Sequence, residues 1–241
     1  MSHSAYIFDF DGTLVDSMPY VAMGVKRFLT NHGVNYPENI MEIVTPLGYP
    51  GSAAYYNEHF GLSTTGEEYL ADVQSFIYKF YQDEIPLKAG AYEYLTKLKA
   101  RGALLAILTA SPVHFVEPCF RRLGVFDLFD HIWSCDDFGT VKSNPEIYLK
   151  AAKRLSVAPK DIAFFDDSIH SLTAAKAAGL YTVGIYDEVA KAFVADVKAT
   201  ADIYHENFLS IENIYVLYHI SPEYSSILST FYFYSIVPCV Q

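Results

Sequence analysis

The chain has 241 residues, 51% hydrophobic and 19% charged, a balance that excludes a disordered segment and allows one large core or a main domain with an insert. Its formal net charge of -11, with no basic stripe, argues against nucleic acid or an anionic membrane surface as a partner. The three cysteines, Cys119, Cys135 and Cys239, are scattered without metal-type spacing, which sets aside both a disulfide framework and a zinc site.

Met1-Ser2-His3-Ser4 leads straight into an apolar run, without the basic region, apolar region and cleavage site of a signal peptide, so a soluble cytoplasmic protein is expected. That run, Tyr6-Ile7-Phe8, ends in Asp9-Phe10-Asp11-Gly12-Thr13. On an extended chain the side chains of Asp9 and Asp11 start toward the same side, and Gly12 allows a sharp turn after them. Two close carboxylates repel unless a cation joins them, and an all-oxygen site suits a hard ion such as Mg2+. The bland alternative is an ordinary Asp-Gly turn.

Residues 18–32 place Val21, Val25, Phe28 and Leu29 at helical spacing, with Pro19 in the first turn and Asp16 or Ser17 as the cap. A stretch broken by Gly33, Pro37, Pro46, Gly48, Pro50 and Gly51 follows, then helices over about residues 53–60 and 65–81. Residues 16–87 lack the short apolar runs of a parallel sheet and read as an all-helical insert. From Ala91 the texture alternates. Helices are predicted over residues 92–100, 113–123, 145–155 and 171–178, and strands over residues 104–108, 131–134, 162–165 and 181–186. Such repeats imply a doubly wound parallel sheet covered by helices on both faces, with ligands beyond the carboxyl ends of the strands. Asp9 and Asp11, Thr109 and Ser111, and Asp166 and Asp167 each follow an apolar strand, so three strand ends carry compatible chemistry. Residues 203–214 read as a closing strand and helix. The tyrosine-rich residues 215–241 are too short in their apolar part for a membrane span and leave an added strand, a dimer patch and a sticky tail open.

With Asp9-Phe10-Asp11-Gly12-Thr13, Thr109, Lys142 and Asp166-Asp167 in this order, the sequence resembles the haloacid dehalogenase-like hydrolase superfamily over about residues 5–208. More narrowly, it resembles the branch with a helical cap after the first strand, which includes phosphoglycolate-phosphatase-like and β-phosphoglucomutase-like enzymes. The resemblance implies an α/β Rossmann-like core over residues 1–15 and 88–214, a helical cap over residues 16–87, and a tail over residues 215–241 of unassigned role.

The resemblance further implies Asp9 as the nucleophile that becomes an aspartyl phosphate, and Asp11 as general acid and then base, its backbone carbonyl touching the metal. Thr109, with the amides of Ala110 and Gly12, would hold the phosphoryl group, and Lys142 would neutralise it and hold Asp9. Asp166 and Asp167 would complete a Mg2+ site with Asp9. Ser143 and Asn144 depart from the commoner Lys-Pro-Asp-Pro pattern, which leaves the lysine's loop less rigid, without the usual carboxylate. Ser168 supports its loop or caps a helix, and His170 reads as surface. Asp11 favours phosphate-ester chemistry over dehalogenation. The cap's few cations, Lys26, Arg27 and Lys79, and the absence of any from residues 44–54, favour hydrolysis of a small phosphorylated metabolite with a neutral remainder. Tyr20, Tyr49, Tyr55 and Tyr56 either contact it or belong to the core. The alternatives are a phosphomutase and an idle binding protein of the same fold, and a monomer or weak homodimer is expected.

Overall fold

Short, fully apolar runs form the strands because a parallel sheet covered on both faces buries alternate side chains in opposite layers. The structure, a computed structural model, describes residues 3–211; the readings made for residues 215–241 and for Cys239 lie outside them. Among the described residues six strands form one all-parallel sheet: β1 (Ala5–Phe8), β2 (Leu104–Thr109), β3 (His131–Ser134), β4 (Ile162–Asp166), β5 (Tyr181–Ile185) and β6 (Ile203–His205). Their order across the sheet is β3-β2-β1-β4-β5-β6. The winding therefore reverses on either side of β1, and the crevice at such a switch point is where ligands bind in these sheets. Phe8 is level with Ile107 of β2 and Phe165 of β4, and the Asp9 amide donates to the Phe165 carbonyl at 2.9 Å. The residues that follow these three strands consequently emerge side by side.

Helices occupy the chain between β1 and β2: α1 (Met18–Asn31), α2 (Ile40–Val44), α3 (Gly48–Phe60), α4 (Gly66–Asp83) and then α5 (Ala91–Ala100). The later ones are α6 (Val113–Leu123), α7 (Glu146–Leu155), α8 (Ile169–Ala177) and α9 (Val194–Thr200). Tyr6 and Phe8 pack with α5 and α6 on one face, while Ala5 and Ile7 pack with α7, α8 and α9 on the other, as period-two alternation requires. The first of these apolar clusters continues without a break into α1 to α4. Phe10, whose ring stacks 5.5 Å from Tyr81 of α4 and meets Phe120 of α6 edge to face at 5.2 Å, is the joint between sheet and helices.

The segments that leave and re-enter the sheet run antiparallel beside each other. Asp16 donates its amide to the Pro86 carbonyl at 3.0 Å and Lys88 to the Leu14 carbonyl at 2.8 Å, around a Val15 to Leu87 bridge. Two sequence readings need correction here. The stretch read as broken contains α2, carried by the buried i, i+4 pair Ile40 and Val44, and α3 begins at Gly48, not at Ala53. Pro50 misled because a proline in a first helical turn costs no hydrogen bond. Helix α4 starts as its chemistry dictates, with Thr65 and Glu68 bonding each other's backbone amides in a capping box. No helix among the described residues is long and apolar enough to cross a membrane.

Candidate active site

Asp9 leaves β1 buried, its side chain 8% exposed, between the ends of β2 and β4. Lys142, arriving from the loop before α7, places Nζ 2.7 Å from Asp9 Oδ2 and 2.8 Å from Asp166 Oδ2, so one ammonium bridges two buried carboxyls. The other oxygen of Asp166 accepts the Ser168 amide at 2.7 Å, whereas Asp9 Oδ1 is buried with no hydrogen-bond partner. Asp167 is only partly buried, and its Oδ1 accepts the Thr13 hydroxyl at 3.0 Å. Asp9, Asp166 and Asp167 each offer a carboxylate oxygen within 4.8 Å of the others. An all-oxygen donor set containing an orphaned buried oxygen fits a hard divalent cation.

Electrostatics reflect this crowding. Burial pushes the Asp9 carboxyl up from 3.8 to about 7; Lys142 opposes the rise and Asp166 adds to it. Burial raises Asp167 well above its ordinary value too, reinforced by Asp166 and Asp9. For Lys142 burial acts downward, but the attraction of Asp166 and Asp9 outweighs it and holds the ammonium well above its ordinary value. The site is thus short of positive charge, and either a cation or protons must supply it.

Asp11 does not share this pocket of acids. The chain has left the strand by then, and the carboxyl accepts the Ser17 hydroxyl at 2.6 Å and the Tyr81 hydroxyl at 2.7 Å on Oδ1, with the Ser111 hydroxyl on Oδ2. Asp9 groups with the acids of β4 and its loop, while Asp11, near enough to raise the Asp9 carboxyl slightly, is held by three hydroxyls. Ser17 therefore uses its hydroxyl on Asp11 and does not cap α1, and Ser168 makes no side-chain cap on α8. Asp16 and His170 are exposed.

Gly12 has φ +73°, and a Cβ there would stand 2.8 Å from Asp167 Oδ2. Its amide donates to the Val15 carbonyl at 3.1 Å. What Gly12 contributes is the turn and the room for Asp167. Thr109 is buried at the end of β2, its Oγ1 accepting the Ser111 amide at 2.9 Å, and Ala110 is exposed just beyond. The loop of Lys142 is firmer than its sequence implied. The Tyr148 hydroxyl donates to the Lys142 carbonyl at 2.8 Å, and the Asn144 side-chain oxygen accepts the Glu146 amide at 3.0 Å, so Asn144 caps the turn where a carboxylate was expected.

The structure brings Asp9, Thr109, Lys142, Asp166 and Asp167 to adjacent strand ends and loops, with Asp11 alongside. Ser17, Tyr81, Ser111 and Thr13 are the hydroxyls that hold Asp11 and Asp167; the sequence placed Ser111 at a strand end and Thr13 in the opening motif without giving either a partner, and gave Ser17 and Tyr81 no place in the site. Only Ser111 carried a usable signal, its place two residues after a strand-end threonine. In the helices, Tyr56 is fully buried and bonded to Tyr69, Tyr20 packs 5.1 Å from Phe80, and Tyr55 stacks 4.0 Å from His59. Tyr49 lines a cavity of about 120 Å³ with Met18, Val21, Val25, Ser52 and Tyr69. Arg27 is paired with Asp72 and lies over the Phe76 ring.

A family model described as haloacid dehalogenase-like hydrolase matches residues 3–179. Among curated proteins, the chain is 30% identical over 194 residues to a phosphoglycolate phosphatase of Colwellia psychrerythraea, covering 74% of this chain and 82% of that protein. It is 26% identical over 182 residues to hexitol phosphatase B of Escherichia coli K12, covering 74% and 82%. A crystal structure of a HAD hydrolase of family IA, variant 3, from Entamoeba histolytica superposes with a TM-score of 0.74 at 22% identity, covering 87% of this chain and 95% of that one. The chain therefore belongs to the haloacid dehalogenase-like hydrolases, and its kinship within them is with the phosphoric monoester hydrolases.

Proposed function

We propose that the protein hydrolyses a small phosphomonoester with an uncharged remainder, through an aspartyl phosphate on Asp9 and with Mg2+ at the acid cluster. The observation that carries this reading is the bridge of Lys142 between Asp9 and Asp166, which leaves Asp9 Oδ1 buried and unpartnered beside two further acids. A buried carboxyl kept in that state needs a positive or electrophilic visitor.

Asp9 attacks phosphorus while the bond to the ester oxygen breaks, and Asp11 gives that oxygen its proton. Water then attacks the aspartyl phosphate, Asp11 takes back a proton, and inorganic phosphate leaves. Lys142 keeps Asp9 aimed and offsets phosphoryl charge, and Thr109 supplies a hydroxyl from the end of β2. Asp9, Asp166 and Asp167 would hold Mg2+, which would supply the positive charge that offsets the repulsion between acids and phosphate and would act as a Lewis acid. Residues 16–87 act as the cap that selects the remainder of the substrate. Their cavity is lined by aliphatic, hydroxyl and tyrosine side chains, without a charged group among the described residues.

The test is turnover of p-nitrophenyl phosphate with Mg2+, abolished by a chelator and by Asp9→Asn. A pure, folded protein inactive on a broad panel of phosphate esters contradicts the reading.

A further inference from the structure

We propose that Tyr81 is a positioning residue for proton transfer, orienting the Asp11 carboxyl from the helical region across the gap to the sheet. The proposal rests on the reading of Asp11 as the proton-transferring group. Tyr81 stands in the last turn of α4, is 1% exposed, and donates its hydroxyl to Asp11 Oδ1 at 2.7 Å.

Three features make this contact a built one. The ring packs against two others, 5.5 Å from Phe10 and 5.4 Å from Phe115, and is buried, so the hydroxyl has little freedom to leave. Arg122 of α6 donates to the Tyr81 carbonyl at 3.2 Å and to the Ile85 carbonyl, which clamps the end of α4 to the sheet-covering helix beneath it. That contact also places a cation at a helix C-terminus, where the peptide dipoles favour it. Finally, Tyr81 and Ser17 share one oxygen of Asp11 while Ser111 occupies the other, so three elements define the plane of the carboxyl. Burial, with Asp11 next in effect, pushes the phenol well above its ordinary value, which keeps Tyr81 a neutral donor.

A general acid works only when aimed, and a misplacement of about 1 Å costs on the order of a hundredfold in rate. Removing one of the two donors on Oδ1 lets the carboxyl rotate about the Ser111 contact. The loss falls on esters whose leaving oxygen needs a proton. The seat of α4 and the aim of the acid are thereby one variable, because the same residue belongs to both.

The experiment compares ethyl phosphate, whose alkoxide leaves only when protonated, with p-nitrophenyl phosphate, whose phenolate leaves unaided. Tyr81→Phe keeps the ring and its packing. The expected result is that the ratio of kcat/KM for ethyl phosphate to that for p-nitrophenyl phosphate falls about tenfold. The ratio does not depend on how much of the variant is folded, so an unchanged ratio overturns the proposal even if both rates drop. Asp11→Asn is the control and should lower the ratio further. If Asp11→Asn leaves the ratio intact, the role given to Asp11 fails. If Asp11→Asn lowers it and Tyr81→Phe does not, that role stands and the inference about Tyr81 falls.

Discussion

At the strand ends the working groups are charged and are held by charge: one lysine spans two buried carboxyls, with a third acid beside them. In residues 16–87 the groups that reach the site are hydroxyls on rings and small side chains, Ser17 and Tyr81, and the nearby cavity is aliphatic and phenolic. The difference teaches how labour is divided. Phosphoryl chemistry needs fixed charge, and the proposed site for it lies where the sheet makes geometry rigid. On the proposed reading, recognition of a neutral remainder needs shape and hydroxyls, which helices packed on a shared apolar cluster supply.

Charge at the strand ends carries a cost that pH exposes. The raised Asp9 carboxyl binds a proton more tightly folded than unfolded. Its stabilising contribution is therefore complete below the ordinary value of 3.8 and is lost as pH rises through about 7. The whole swing is at most about 4 kcal/mol. His3 and His205, whose burial lowers them, act in the opposite direction, and a difference measurement cancels them. In a chelator, the melting temperature of Asp9→Asn should rise relative to the wild type between pH 5 and pH 8, and Mg2+ should close the gap. A gap that ignores pH contradicts the account of the buried carboxyl.

Lys142→Met removes the cation between Asp9 and Asp166 while leaving both acids buried. Urea unfolding without divalent cations should show a loss of about 3 kcal/mol, because one partner of a buried pair is deleted. A loss below about 1 kcal/mol, typical of exposed pairs, would erase the contrast between the regions. In the helices, Arg27→Met cuts the pair with Asp72, whose side chains are 33% and 38% exposed. Stability should fall by less than about 1 kcal/mol, with kcat/KM for p-nitrophenyl phosphate unchanged. A large loss of activity there would place charge recognition in the cap.

The same division explains what was legible in the sequence. Strands β1, β2 and β4 are short apolar runs closed by Asp9, Thr109 and Asp166, so local pattern pointed to the sheet and to these strand-end groups, while the roles given to the acids came from the family resemblance. The bonds to Asp11 were not legible even where Ser111 stood out at a strand end, because Tyr81 is 70 positions and Ser111 100 positions away along the chain. A tyrosine at a core-facing helical position looks the same whether or not its hydroxyl finds a carboxyl. Ser17 read as a cap because its position is one, and only the turn after Gly12 redirects its hydroxyl. Helix α2 and the first turn of α3 were obscured by prolines and glycines that sit in turns and first helical turns, where they cost little.

The most direct test is to trap the phosphoryl group on the chain. Asp11→Asn, incubated with p-nitrophenyl phosphate and Mg2+, keeps the nucleophile and a leaving group that needs no acid, but lacks the base for the second step. Rapid quenching and peptide mass spectrometry should find one phosphoryl group on the peptide that carries Asp9, formed as nitrophenolate is released. Nitrophenolate release with no phosphorylated peptide, or with the group on another residue, would contradict the central claim that Asp9 is the nucleophile.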